Sequence, residues 1–398
     1  GSDLYPNALW FSATGDYDNF EYGALDDDAF MVQLEGQNPI RWLLSGDYLL
    51  VGTSGSVGIY GEKGKAITPT SPAYQTQSNF GSGEVQAVNA GDMIIYVERG
   101  LRKLRELGYD LRYDRYVTPD LTVLSEEITD PCVVEIVFQA RPQPILWCLL
   151  GDGEIATLFY HREQMVAGWS KQSSGTDDFE SLISLPGSGT TPSDDVWLED
   201  QVWAVATRTN GTFIEQFTPV DWGSDDDYAW FVDSGLMNLS AQPDANDYGG
   251  ASHLANETVY VYADSNNLHD FTVDANGVIT IGTGYTNIIA GLNYTSKLET
   301  LPLKMPQGIR DVRTSDRQIS AVNFDLYKTY YLEYGMGANS TRSVWDFNDV
   351  TTDRVTFSRM TFPFGSLIKP TIYVQSDEPV PLTLRGLFPE LTYYRNYP

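Results

Sequence analysis

Carboxylates are the residues of this chain most able to do chemistry. Asp26-Asp27-Asp28, Asp194-Asp195 and Asp225-Asp226-Asp227 stand in turn-rich stretches, and loop carboxylates held in pairs are what hydrolysis of a glycosidic bond requires. A chain with 54 acids also produces such runs as plain solvated loops, and the repeated Ser-x-Asp-x-Gly-x-Thr-Trp signature of propeller hydrolases is missing. Asp16-Tyr17-Asp18-Asn19 opens like a calcium loop, but Glu21 stands where the sixth position needs glycine. The serines among the glycines of residues 52–58 lack the Gly-x-Ser-x-Gly spacing of a nucleophile elbow. His161, His253 and His269 are scattered, with no His-Glu-x-x-His pattern; His161, in YHREQ, is expected at a strand end. Neither a P-loop nor a dinucleotide fingerprint occurs. Cys132 and Cys148 are too few for a disulfide framework or metal cluster, and both lie in apolar runs that suit buried, inert thiols; an incidental pair stays open. These residues lead to the expectation of a chain that is not an enzyme and carries no cofactor or metal.

The elements that would position any such residues are strands. Tyr 25, Phe 17 and Trp 9 give an aromatic share of 13%, and flat rings fit the half-buried pleated surface of a sheet. A pattern of strand, turn, apolar strand, glycine turn and strand occurs four times. The copies lie near residues 40–61, 85–107, 133–161 and 179–217. Their middle strands start at Tyr48, Met93, Ile145 and Val202, at intervals of 45, 52 and 57 residues, which suits the blades of a β-propeller. Asp-Gly and Asn-Gly pairs supply the positive φ of tight hairpins. A stacked β-sandwich is the competing fold. LRKLREL at 101–107 has some helical periodicity, but its position in the repeat predicts a strand. The fold class expected is all-β, a propeller-like platform of antiparallel blades with small β-domains towards the C-terminus.

Polar, turn-rich stretches at 224–228 and 242–250 mark a boundary. The sequence thus divides into repeats over 1–240, a small β-unit over 250–302 and a β-region over 303–398 that completes or packs on the platform. The last region ends in a proline-marked segment, 378–384. No apolar window of about 18 residues occurs. Gly1-Ser2 reads as an expression scar, and the strand-like start at Leu4 predicts native sequence upstream.

Several strings resemble the tail-nozzle proteins, or tail tubular proteins B, of short-tailed bacteriophages. They are LWFSATGDYDNF (9–20), DDDAF (26–30), IRWLLSGDYLLVGTSGSVGIYG (40–61), ITPTSPAYQTQSNFGS (67–82), YDLRYDRYVTPDLTVLSEEI (109–128) and WCLLGDGEIATLFYHREQMVAGWS (147–170). The similarity resumes in AGLNYTSKLETLP (290–302) and EPVPLTLRGLFPEL (378–391). Proteins of this kind often carry the FCCH label borrowed from ubiquitin-activating enzymes, which here fits residues 258–302. That label brings no ubiquitin chemistry, because no nucleotide site or catalytic cysteine accompanies it. The resemblance implies a structural subunit of the distal tail tube, made in the bacterial host and carried in the virion tail. Its implied partners are other tail proteins (adaptor or upper tail, and fibres) in a homo-hexameric ring, with contact to the host surface. Family members are typically longer at the N-terminus, so the platform would be completed by sequence not present here.

The charge balance bears on that reading. Lys+Arg 25 against Asp+Glu 54 gives a net charge of −29, which repels nucleic acid and anionic membranes. No specific nucleic-acid binding is expected. The acids Asp26, Asp27, Asp28, Asp225, Asp226 and Asp227 are candidates to face a tube lumen through which DNA passes. The alternative reading is a carbohydrate-binding or carbohydrate-cleaving propeller, an adhesin or depolymerase. Its sugar platforms would be Trp147, Trp169, Trp197, Trp203, Trp222 and Trp230, although most lie in or beside strands and read as core.

Overall fold

A computed structural model describes the chain except for residues 72, 113, 174–177, 188–198, 219–229, 238, 242–245, 265, 283, 304–316, 338–342, 347–354, 362–365, 368–369 and 394–398. It is an all-β protein. Among the described residues the helical segments are two 3-10 turns, Arg162–Gln164 and Ser252–Leu254. The chain forms two compact units, Gly1–Pro219 and Val220–Pro398.

In the first unit β1 (Ala8–Phe11) and β2 (Phe30–Gln33) make a hairpin. The first sheet follows as a meander of β3 (Ile40–Ser45), β4 (Leu49–Thr53), β5 (Val57–Tyr60) and β6 (Gln75–Ser78). The second sheet holds β7 (Val88–Ala90), β8 (Met93–Val97), β9 (Leu104–Asp110) and β10 (Arg115–Val117). In the third, β11 (Val133–Gln139), β12 (Ile145–Leu150), β13 (Ile155–His161) and β14 (Val166–Gln172) pair in the same order. The fourth has three strands, β15 (Asp178–Leu185), β16 (Gln201–Arg208) and β17 (Gly211–Gln216). The apolar middle strands β4, β8, β12 and β16 are each second in their own sheet and do not pair with one another. This is the blade arrangement of a propeller.

Side-chain alternation shows how the sheets stack. Successive residues of a strand point to opposite faces, and in the inner strands both faces are apolar. On β12, Leu146, Cys148 and Leu150 join a core with Ile95 and Val97 of β8, while Trp147 and Leu149 join another with Leu182, Val202, Ala204 and Ala206 of the fourth sheet. On β8, Tyr96 turns the other way and packs with Trp42, Leu50 and Val57 of the first sheet. Val51 and Tyr60 in turn meet Leu9 of the opening hairpin. The first three sheets are therefore each one layer between two cores, while the fourth packs one face on the third, and burying both faces explains why ILWCLL is a continuous apolar run rather than an alternating one.

Three local features carry the repeat further. In the first, third and fourth sheets the opening strand has an irregular register near its start, between Ile40 and Trp42, Val133 and Glu135, and Phe179 and Ser181. An extra residue there re-aims the strand and increases its twist. Gly52 lies opposite Trp42, and a Cβ on it would stand 2.1 Å from the indole. The same holds at Gly58, where a Cβ would meet the Tyr74 ring at 2.6 Å. Gly52 and Gly58 thus admit aromatic rings, while Gly55 admits the Asn38 side chain. Gly52→Ala is expected to cost about 1–3 kcal/mol through overpacking, read as a lowered urea midpoint; an unchanged midpoint would show that the indole can move aside. Lastly, LRKLREL is only partly strand. Leu101 sits at φ 60 in the turn closed by its amide to the Glu98 carbonyl, and β9 begins at Leu104.

The second unit contains a sheet of Asp233–Met237, Ile288–Leu292, Thr258–Ala263 and Asn266–Thr272, beside a smaller one of Ser240–Ala241, Asp247–Gly249 and Val278–Thr280. Val259, Val261, Ile279, Ile288 and Leu254 fill the core they share. The remaining strands form two further sheets around Phe324, Leu332, Ile372 and Val374. Their longest pairing joins Arg317–Tyr327 to Thr383–Tyr393. Pro389 lies inside that last strand, opposite Val322; among the described residues the strand pairs along one side, the edge position at which proline is tolerated.

Candidate functional site

Asp26, Asp27 and Asp28 form the turn that leads into β2. Asp26 and Asp27 are exposed and Asp28 half-buried, and the Asp28 carboxylate accepts the Leu25 amide at 2.8 Å. Asp225, Asp226 and Asp227 lie outside the described residues, as do Asp194 and Asp195. Asp16–Asn19 is a hydrogen-bonded turn in which the Asn19 side chain accepts the Glu21 amide at 3.0 Å. His161 ends β13, as expected. His253 contacts the Ser234 carbonyl at 2.8 Å, and His269 packs edge-on to Tyr260. Both cysteines are free thiols, and burial pushes the Cys148 thiol well up. Among the described residues no group of three His, Cys, Asp or Glu is arranged to hold a metal.

The inner carboxylates fasten one sheet to the next. Glu106 on β9 accepts the Tyr160 hydroxyl at 2.6 Å and Arg162 Nε at 2.7 Å. Glu135 on β11 accepts the Ser181 hydroxyl at 3.0 Å and the Leu182 amide at 2.9 Å, beside the irregular start of β15. Arg105, nearly buried, donates to Glu98 at 2.7 Å and to the Thr118 carbonyl at 2.9 Å, with the Phe80 ring 3.4 Å from its guanidinium carbon. The bonds of Glu106 and Glu135 tie one sheet to the next, those of Arg105 stay within the second, and all of them leave these carboxylates occupied.

The tryptophans proposed as sugar platforms are mostly packed. Trp147 donates to Gln139 at 3.0 Å and lies against Phe217. Trp169 donates to the Leu121 carbonyl at 3.0 Å. Trp230 stacks on Tyr262 at 3.8 Å. Trp203 is half-buried on the outer side of β16 and donates to Gln201 at 3.3 Å. Trp197 and Trp222 lie outside the described residues.

Sequence reasoning missed a tyrosine group at the rim of the first two sheets. Tyr48, at the β3–β4 turn, and Tyr116, on β10, both pack against the core of Trp42, Tyr96 and Leu107. Tyr109, at the end of β9, meets Tyr116 edge-on with ring centroids 5.5 Å apart and donates its hydroxyl to Asp114. It is 45% exposed. Asp47, next to Tyr48, forms an ion pair with Lys63. The available signal was the tyrosine density of YDLRYDRY together with the tyrosine after Gly46-Asp47.

No family model matches the chain, and no curated protein matches it. Among solved structures it is similar to an exo-β-1,3-galactanase from Phanerochaete chrysosporium with galactose, at 10% identity and a TM-score of 0.25, over 90% of this chain and 82% of that one. A variant of the same galactanase with β-1,3-galactotriose matches at 10% identity and a TM-score of 0.25, over 87% and 77%. These neighbours are enzymes, and on that finding the expectation of a chain that is not an enzyme is withdrawn.

Proposed function

We propose that the chain is a structural component of a bacteriophage virion tail, part of the distal tube or nozzle through which DNA passes. The observation that supports it is the ordered series of strings resembling tail-nozzle proteins. Several of those strings are the building elements of the stack: residues 40–61 supply β3, β4 and β5, and residues 147–170 supply most of β12, β13 and β14. In this reading copies of the chain assemble with other tail proteins, in a homo-hexameric ring. Loop acids such as Asp26, Asp27 and Asp28, together with Asp225, Asp226 and Asp227, keep the passing duplex from sticking. Duplex DNA carries about one charge per 1.7 Å of axis, so a basic wall would hold it at many points, whereas an acidic wall repels it within roughly 8–10 Å.

Reversing Asp26, Asp27 and Asp28 to lysine is expected to slow genome ejection while particles still assemble, with no binding of the unaltered protein to duplex DNA even at low salt. Unchanged ejection, or tight DNA binding, would discard the lumen role. A second reading, a carbohydrate-binding or carbohydrate-cleaving propeller, is favoured by one observation, the half-exposed Tyr109 at the rim of the first two sheets. Its test is a glycan array with a reducing-sugar assay on β-1,3-galactan and host polysaccharide.

A further inference from the structure

Packing accounts for two of the three rim tyrosines. Tyr48 and Tyr116 close the core between the first and second sheets. Tyr109 is not part of that core; nearly half of it faces solvent, and its hydroxyl is tied to Asp114 while its ring stands edge-on to Tyr116. An aromatic side chain with an apolar body and a polar tip, held in one orientation at the surface, is a ready-made contact for a ligand of mixed character. Groups of both hydrogen-bonding kinds stand at the rim: Asp114 supplies a carboxylate beside Tyr109, and the Lys63 ammonium and Asp47 carboxylate pair with each other within electrostatic reach of Tyr116.

We propose that the rim formed by the β3–β4 turn and the β9–β10 hairpin binds a neutral hexose unit of a glycan, with the Tyr109 ring as its stacking face. A hexose presents one face of C–H bonds, suited to an aromatic ring, and an edge of hydroxyls that both donate and accept. Asp47, Asp114 and Lys63 match that edge. The phenols stay protonated donors: the Tyr109 bond to Asp114, followed by burial, holds Tyr109 above its ordinary value, and burial, then neighbouring Tyr48 and Asp47, does the same for Tyr116. Those interactions also place Tyr48 within electrostatic reach of both rings. The net charge of −29 selects against sialylated or uronic-acid sugars. This site deepens the carbohydrate reading and does not depend on the tail reading.

The test is a titration of the whole chain, carrying isotope-labelled tyrosines, with maltotriose, cellotriose and β-1,3-galactotriose, followed by nuclear magnetic resonance. The Tyr109 and Tyr116 ring signals are expected to move with at least one of the three. Tyr109→Ala should weaken that binding by about tenfold or more, a loss of at least about 1.4 kcal/mol. Tyr109→Phe, which keeps the ring, should stay close to the unaltered protein, and Leu111→Ala, at the exposed hairpin tip, should change nothing. Equal thermal midpoints for the variants show that the fold is intact. No movement of Tyr109 with any trisaccharide overturns the proposal, as does binding indifferent to Tyr109→Ala or lost equally in Tyr109→Phe. Sugar release from galactan without movement of the rim signals would uphold the carbohydrate reading and still overturn this site.

Discussion

Leu146→Ala and Leu149→Ala are each expected to destabilise the first unit by about 2–5 kcal/mol, although the two residues point to opposite faces of one strand. Leu146 is fully buried in the core shared with the second sheet, and Leu149 is buried in the core shared with the fourth. A sheet with one wet face would give one large loss and one surface-level change of about 0.5 kcal/mol or less. Two cores give two large losses, and the double variant should lose about their sum because the sites share no partner. The fourth sheet supplies the contrast. On its outer face Ile183 and Ile214 are 50% and 73% exposed, so Ile214→Ala should fall in the small class. Denaturant midpoints at unchanged slope measure all four. A small loss for either leucine would mean that the sheet is not an inner layer.

The second large effect is alkaline. Burial pushes Tyr60, Tyr96 and Tyr160 above the ordinary tyrosine value of 10.0, and for Tyr160 the bond to Glu106 adds to it. In the unfolded chain these phenols lose their protons near their ordinary value, while in the folded chain they keep them. The folded state then holds more protons, so its stability falls as pH rises. The full contribution is present below pH of about 10, and above it each such group costs up to about 1.4 kcal/mol per pH unit. Ionising Tyr160 would also set a phenolate against the Glu106 carboxylate. Urea midpoints should be flat from neutral pH to about 9 and then drop steeply. Tyr160→Phe should make that drop shallower. A midpoint that stays flat through pH of about 11 would mean that these hydroxyls reach water in the folded state.

The reasons some of the fold was legible are visible strand by strand. The middle strands β4, β8 and β12 are apolar on both faces because each lies between two cores, so runs such as ILWCLL and LLVGT mark them plainly, whereas β16, with one outer face, alternates. The outer strands β6 (QTQS), β10 (RYV) and β14 (VAGWSKQ) gave no signal. β14 is exposed at nearly every position and β6 is mostly polar, and a solvated edge strand needs no apolar alternation. The start of β9 was misplaced because a leucine at φ 60 in a turn looks no different in sequence from one in a strand. The strand Thr383–Tyr393 begins inside the proline-marked segment 378–384 and went unread, because its pairing with Arg317–Tyr327 is a tertiary fact. The candidate site was less legible than the fold. Acidic runs stand out in composition, but proximity between Tyr48 and Tyr109 depends on two neighbouring sheets placing their turns at the same rim.

The central functional claim is a place in the virion tail, and electron cryomicroscopy of intact particles that encode this chain tests it most directly. The account predicts density at the distal end of the tail into which the four consecutive sheets of residues 40–216 fit, in copies arranged around the DNA channel. Particles with complete tails that lack this chain, or a position on the particle away from the channel, would contradict it.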